Sequence, residues 1–452
     1  MTKLNITRRQ MLTGATLAAA AGAASGIGYS LSALASVTVG PNAFKTGGDA
    51  LVVVFLRGGA DGLNIVAPYG EDRYHVLRPS LALASPKDRA SDPKARALDL
   101  DGFFGLHPAL APLHPLYQNG QMGIVHAIGS GDKTRSHFEA MATMERGIAS
   151  DTGAASGWLA RHLAITADPN DSPLRAVAIT DTMPDSLRGA TNATTLTSLA
   201  DYRLTVPDLT PTGSDNKTFH APPPAARADA LAETLRGLYS PNAGSPDALQ
   251  SAGRETLAAL DAIKQLDPSH YKPAVNANYP QNELANGLRQ AACMIKGHIG
   301  LEIACLDMGG WDTHVAQGRD AGWQPSRLGD LGRALAAFAA DLGTEMSHVT
   351  TIVMTEFGRR TPENSGLGTD HGRASCMLLI GGNVVGGKVH GDWPGLADGQ
   401  LENAGGGQGD LHVTTDYRDV LAEIVAVRLK NPHMAEVFPE YTPRFRHVVR
   451  PA

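Results

Sequence analysis

The chain has 452 residues, 42% of them hydrophobic, enough to bury a substantial core in one large or two ordinary domains. A formal charge of -6 argues against nucleic acid as the main partner. Three cysteines, Cys293, Cys305 and Cys376, are an odd set without short spacing, which excludes a disulfide framework.

In chain order, the first signal is Thr7-Arg8-Arg9-Gln10-Met11-Leu12, two arginines beside an apolar start, the pattern of a twin-arginine export signal. An uncharged Ala/Gly-rich stretch from Gly14 to Gly28 follows, and Ala33-Leu34-Ala35 supplies the small-x-small site of a signal peptidase. These features predict a signal peptide over residues 1–35 and a periplasmic or secreted product, residues 36–452. A membrane-spanning helix needs about 20 strongly apolar residues. The leader falls short of that, and no transmembrane segment is expected in the mature chain.

Apolar runs of strand length come next: Leu51–Leu56, Gly123–Gly129, Ala176–Ile179, Ile303–Leu306, Val349–Met354 and Ser375–Ile380. Helical patterns cover Ser136–Arg146, Arg327–Leu342 and Asp416–Val427. Strand runs apolar on both faces and alternating with helices predict an α/β fold on a mostly parallel sheet. Between about 150 and 290 the character changes. Pro207–Pro224 reads as an irregular loop and Ala225–Leu266 as helical, so this region is expected to be an insertion into a single α/β domain. Gly381–Gly387 reads as a turn into a hairpin-like segment, Lys388–Pro394.

The strand ends carry the chemistry. In open α/β sheets ligands gather at the carboxyl edge. There the chain delivers Asp61 in Arg57-Gly58-Gly59-Ala60-Asp61, Asp312 and His314 in Gly310-Trp311-Asp312-Thr313-His314, and Glu356 followed by Arg359 and Arg360. Asp370-His371 stands directly before the last core strand. Carboxylates and imidazoles gathered this way suit a divalent ion such as Zn, Mn, Mg or Ca. Each piece alone has a plainer reading as a turn, a cap or a surface pair. Their repetition after separate strands is what points to a metal site.

A second constellation is Lys133-Thr134-Arg135-Ser136-His137-Phe138-Glu139. Ser136 with Glu139 reads as a capping box. Ser136, or Thr134, also stands where a helix N-terminus favours an anion, and a hydroxyl near a metal can act as a nucleophile. Arg57 and Arg135 are the expected clamps for a phosphoryl or sulfuryl group.

Taken together, Leu56–Asn64, Arg135–Glu139, Gly310–His314, Thr355–Arg359 and Asp370–Gly372, in this order behind a twin-arginine leader, resemble the exported "domain of unknown function 1501" family. That family is grouped with the alkaline phosphatase-like superfamily, alongside sulfatases and cofactor-independent phosphoglycerate mutases. The resemblance implies a three-layer α/β/α sandwich with two metals and a hydroxyl nucleophile. By it, Asp61, Asp370 and His371 correspond to one metal's ligands, Asp312 and His314 to the other's, and Ser136 or Thr134 to the nucleophile. Only Thr313 separates Asp312 from His314, closer than the superfamily's usual spacing, and the final ligand falls to His390, His412 or Glu356. The expected function is an exported metal-dependent hydrolase or transferase acting on a small-molecule or polymer-borne phosphate or sulfate ester. The alternative is a non-catalytic binding or assembly protein that retains the fold and works with another exported partner.

Overall fold

The computed structural model describes residues 48–149, 154–206, 223–240, 248–403 and 409–451. The expected export signal over residues 1–35 and nearly all of the expected irregular stretch 207–224 lie outside these residues.

Among the described residues nine strands form the main sheet: β1 (Ala50–Leu56), β2 (Met122–Gly129), β3 (Ala176–Ile179), β4 (Ala193–Leu196), β5 (Ile303–Met308), β6 (Val349–Thr355), β7 (Ser375–Gly381), β8 (Val389–His390) and β9 (Thr415–Asp416). Their spatial order is β8-β2-β7-β6-β1-β5-β3-β4, with β9 also paired to β2. Every residue of β1, β2, β6 and β7 is buried. This is why their sequences are continuous apolar runs rather than alternations.

On one face Leu51, Val53 and Phe55 of β1 join Ile303, Cys305, Ile352, Met354, Met377 and Leu379 in a single core. Helices cover it, among them α1 (His137–Arg146) through Met144, α2 (Trp158–Ile165) through Trp158 and Leu159, and the helix Tyr417–Val427 through Tyr417, Val420 and Ile424. Fully burying one such aliphatic or aromatic side chain is worth about 1.5–3 kcal/mol. Leu306 of β5 points the other way, toward the helix Glu283–Lys296, which approaches so closely that a Cβ on Gly287 would lie 2.6 Å from Leu306 Cδ2. The helix Trp323–Leu342 packs beside Glu283–Lys296. The expected mixed α/β organisation with a mostly parallel sheet is therefore present. The three cysteines are free and buried.

Direction within the sheet positions the site. β1 runs parallel to both neighbours, with Leu56 level with Met308 and Thr355. β7 is antiparallel to β6 and to β2, so β2 runs with β6. The chain therefore leaves β1, β2, β5 and β6, and enters β7, at one edge.

Two expectations shift. The segment Lys388–Pro394 is no hairpin, because β8 pairs in parallel with β2. The region from about 150 to 290 supplies β3 and β4 to the main sheet, and the helix Glu283–Lys296 to its cover. Residues 200–265 group as a compact unit of their own. In it, the helix Pro224–Leu238 starts on two prolines, and its Asp229 and Arg236 pair with Lys264 and Asp261 of the helix Ala248–Leu266. That descending order makes the two helices antiparallel. A Cβ on Gly253 would lie 2.5 Å from the Tyr239 ring, so the glycine lets the helices close together.

Candidate metal centre at the sheet edge

The loop after β1 begins with Gly58 and Gly59, both at positive φ. A Cβ on Gly58 would fall 2.6 Å from the backbone nitrogen of Asp312, so only glycine lets the two loops cross there. Gly58 N–H donates to Glu356 Oε1 at 2.8 Å. Glu356 is completely buried at the end of β6, and its Oε1 also accepts from His137 Nδ1 at 2.7 Å.

His137 is one of three imidazoles held in the same manner. His314 Nδ1 lies 2.9 Å from Asp370 Oδ1, and His371 Nδ1 lies 2.9 Å from the Arg135 carbonyl oxygen. All three partners can only accept, so each Nδ1 carries a proton and each ring turns its Nε2 toward the site. The three Nε2 atoms converge on one oxygen. Asp312 Oδ1 lies 3.0 Å from His371 Nε2, 3.1 Å from His314 Nε2 and 3.5 Å from His137 Nε2. The Nε2 atoms of His314 and His371 are themselves 2.9 Å apart.

A carboxylate ringed by imidazole nitrogens at these separations calls for positive charge beside it, from a proton on Nε2, an arginine or a metal ion. Arg359 supplies part of that charge, donating from its second terminal nitrogen to Asp312 Oδ1 at 2.7 Å. The geometry also fits a cation. Metal–ligand bonds of 2.0–2.1 Å in a tetrahedron place ligand atoms about 3.3 Å apart, and the ligand atoms of His137, Asp312 and His371 all lie within 4.8 Å of one another. His137 Nε2 is shielded from solvent without a hydrogen-bond partner, as a waiting ligand atom would be. Anchoring the remote imidazole nitrogen on a carboxylate or carbonyl is how proteins orient metal-binding histidines.

The charges follow this arrangement. Burial works against ionised Asp312, yet Arg359 and His371 outweigh it and hold the carboxyl down at about 2. The hydrogen bond to Glu356 raises His137, whereas burial lowers His371. Burial of Asp370 is likewise outweighed, by His314 and Asn364, which lower it.

The other residues singled out from sequence lie elsewhere or play a different part. Glu356 and Asp370 stand behind the converging nitrogens as anchors of His137 and His314. Asp61 is fully buried and apart from the group. Arg78 donates to both its oxygens, at 2.6 and 3.0 Å, and Gln317 donates to Oδ2 at 2.7 Å. The Gln317 amide oxygen in turn accepts from Thr313 and Thr369, so this interior knot braces the two loops that carry Asp312, His314, Asp370 and His371.

Arg57 is bidentate to Glu145 and paired with Asp307, and Arg135 is paired with Asp410. Arg135 takes a left-handed φ of 57°, and its carbonyl serves His371. The Thr134 hydroxyl donates to Asp132. Ser136 occupies the N-cap position of α1 without a side-chain cap bond, so the capping box does not form. Glu139 is exposed instead of reaching back. His390 contacts the Val385 carbonyl and His412 pairs with Glu402, so neither joins the group.

His137 is the residue that sequence reasoning passed over as a ligand. Its only signal was a position directly after a strand-to-helix loop, within a motif already noted for Ser136.

No helix among the described residues is long and apolar enough to cross a membrane. No curated protein matches the chain. Residues 224–421, which carry Asp312, His314, Glu356, Asp370 and His371, match the family described as "Protein of unknown function (DUF1501)", and this supports that part of the resemblance.

Proposed function

We propose that the chain is an exported metal-dependent hydrolase or transferase acting on a phosphate or sulfate ester, on an alkaline phosphatase-like α/β/α framework. One observation carries the reading: three imidazoles, each fixed at Nδ1, aim Nε2 at a single carboxylate oxygen. His137, Asp312 and His371 are the residues that would hold the ion, with His314 Nε2 beside them at the same Asp312 oxygen, and a set of two imidazoles and one carboxylate suits Zn better than Mg or Ca. When bound, such an ion supplies Lewis acidity toward an ester oxygen.

The chain's own residues do the rest. Ser136 adjoins His137 at the start of the ten-residue α1, and its hydroxyl is not engaged in capping. The helix N-terminus favours an anion at that place, and Ser136 Oγ is the nucleophile of this proposal. Export rests on the twin-arginine leader around Arg8 and Arg9.

The test combines metal analysis of the purified full chain with turnover of 4-nitrophenyl phosphate and 4-nitrophenyl sulfate. Ser136→Ala should abolish turnover with metal retained, and His371→Ala should lose the metal. Protein that neither holds nor takes up zinc, or that turns over no ester when loaded, removes the proposal.

A second reading, a non-catalytic binding or assembly protein, draws support from the arginines. Arg57, Arg135 and Arg359 are each engaged by the protein's own carboxylates or carbonyls, which leaves none of them as a ready clamp. Metal binding with no turnover would favour it.

A further inference from the structure

Arg135, an expected clamp for an anion, turns its charge inward. Its side chain pairs with Asp410, a carboxylate that is completely buried. The pairing is incomplete. Asp410 Oδ1 and Arg135 Nε are both shielded from solvent, and neither makes a hydrogen bond among the described residues. A buried ion pair that leaves polar atoms unanswered adds little net stability, because desolvation offsets the attraction. Its value lies in what it holds in place.

Arg135 takes a left-handed φ of 57°, uncommon for a residue with a side chain. Such a conformation persists only where the surroundings over-determine it. Here it falls two residues before His137, and the Arg135 carbonyl accepts from His371 Nδ1 at 2.9 Å. Asp410 is itself tied to the loop that bears His371. Its backbone pairs with Arg360, whose N–H donates to the Asp370 carbonyl at 2.9 Å. The neighbouring Gly409 carbonyl accepts from the N–H and the hydroxyl of Thr361, at 3.0 and 2.9 Å. Asp410 and Glu402 also exchange backbone hydrogen bonds of 2.8 and 2.9 Å. One carboxylate thus joins the segment of His137 to the segment of His371, two imidazoles whose Nε2 atoms meet at Asp312.

We infer that Asp410 is a positioning residue of the metal centre. By holding the Arg135 side chain it keeps the Arg135 carbonyl on His371 Nδ1, and so sets the direction of His371 and the placement of His137. This rests on the metal-centre reading and deepens it.

Two measurements on the full chain test the inference: zinc affinity by chelator competition, and the visible absorption of the cobalt-loaded form, which reports ligand geometry. Asp410→Leu removes both the charge and the acceptor. It should weaken zinc binding about 10–100-fold, the usual cost of losing a group that orients a ligand, and should change the cobalt bands. Asp410→Glu, which keeps the charge and moves it by one methylene, should change the same bands with a smaller loss of affinity. It reads the same contact if Asp410→Leu does not fold. Asp419→Asn is the control, because Asp419 is also buried and paired with an arginine, but its partners are Tyr441, Arg444 and Arg446. It should lower the Tm of metal-free protein and leave zinc affinity and the cobalt spectrum unchanged. Unaltered affinity and bands in the Asp410 variants overturn the inference and leave the metal centre standing. Losses of affinity that merely track losses of Tm, in Asp419→Asn as in the Asp410 variants, overturn it as well. A chain that takes up neither zinc nor cobalt removes the centre and its positioning residue together. Metal binding that depends on Asp410 without turnover of any ester keeps this inference and removes the hydrolase.

Discussion

Asp61 and Asp312 follow neighbouring parallel strands and look alike in sequence, but the structure gives them opposite surroundings. Asp61 is fully buried, with both oxygens taken by Arg78 and one by Gln317. Asp312 is half exposed, and one of its oxygens gathers three imidazole nitrogens and an arginine. The first carboxylate has its charge answered within the protein and holds loops together. The second stands where charge and lone pairs accumulate, which is what binding a cation requires. Residue type after a strand therefore does not set the role. The partner that reaches it does.

The largest effect that could break this contrast is loss of folding stability at the interior carboxylate. Asp61→Ala leaves Arg78 buried without its partner and should destabilise by about 3–5 kcal/mol in urea unfolding. A loss below about 1 kcal/mol would mean that the pair does not brace the fold.

The interior side can also be probed by acid. Burial lowers His107 and His126 from 6.5 to about 4. The unfolded chain binds protons that the folded chain refuses in this window, so stability is complete above pH 6.5 and falls as pH drops toward 4. Each histidine accounts for up to about 3 kcal/mol. Flat stability between pH 7 and pH 4.5 would contradict the burial.

On the open side, Asp370→Asn should weaken zinc binding about 10–100-fold by loosening His314, with little change in the stability of metal-free protein. A metal-dependent rise in Tm, titrated with zinc, reads both quantities. Unchanged affinity would mean that Asp370 does not orient His314.

The smallest effect concerns Ser136. A working N-cap serine contributes about 1 kcal/mol, but this hydroxyl makes no cap bond. Ser136→Ala should therefore shift stability by no more than about 0.5 kcal/mol. A loss near 1 kcal/mol would restore the capping role.

Much of the frame was legible. Strands buried on both faces announce themselves as apolar runs, and β1, β2, β3, β5, β6 and β7 begin and end within two residues of the runs seen in sequence. That Asp312, His314 and His371 come together was legible for the same reason, since they lie close to those runs, whereas Asp370, read as a ligand, stands behind His314. Asp61 misled because nothing local shows that Arg78, seventeen residues on, folds back onto it. His137 was missed because its place at the site depends on β2 running with β6, a direction set by antiparallel β7 more than two hundred residues later. The antiparallel pairing of the helices in 224–266 rests on ion pairs across a break that helical periodicity alone did not reveal.

The central position of β1 has a consequence for dissection of the molecule. It lies between β5 and β6, yet it is the first strand in the chain. A fragment trimmed to residues 224–421 would leave an empty slot in the middle of its own sheet, exposing unpaired backbone on two buried strands. It would also lack His137. It would lack β2, β3 and β4 as well, so such a piece should aggregate rather than fold.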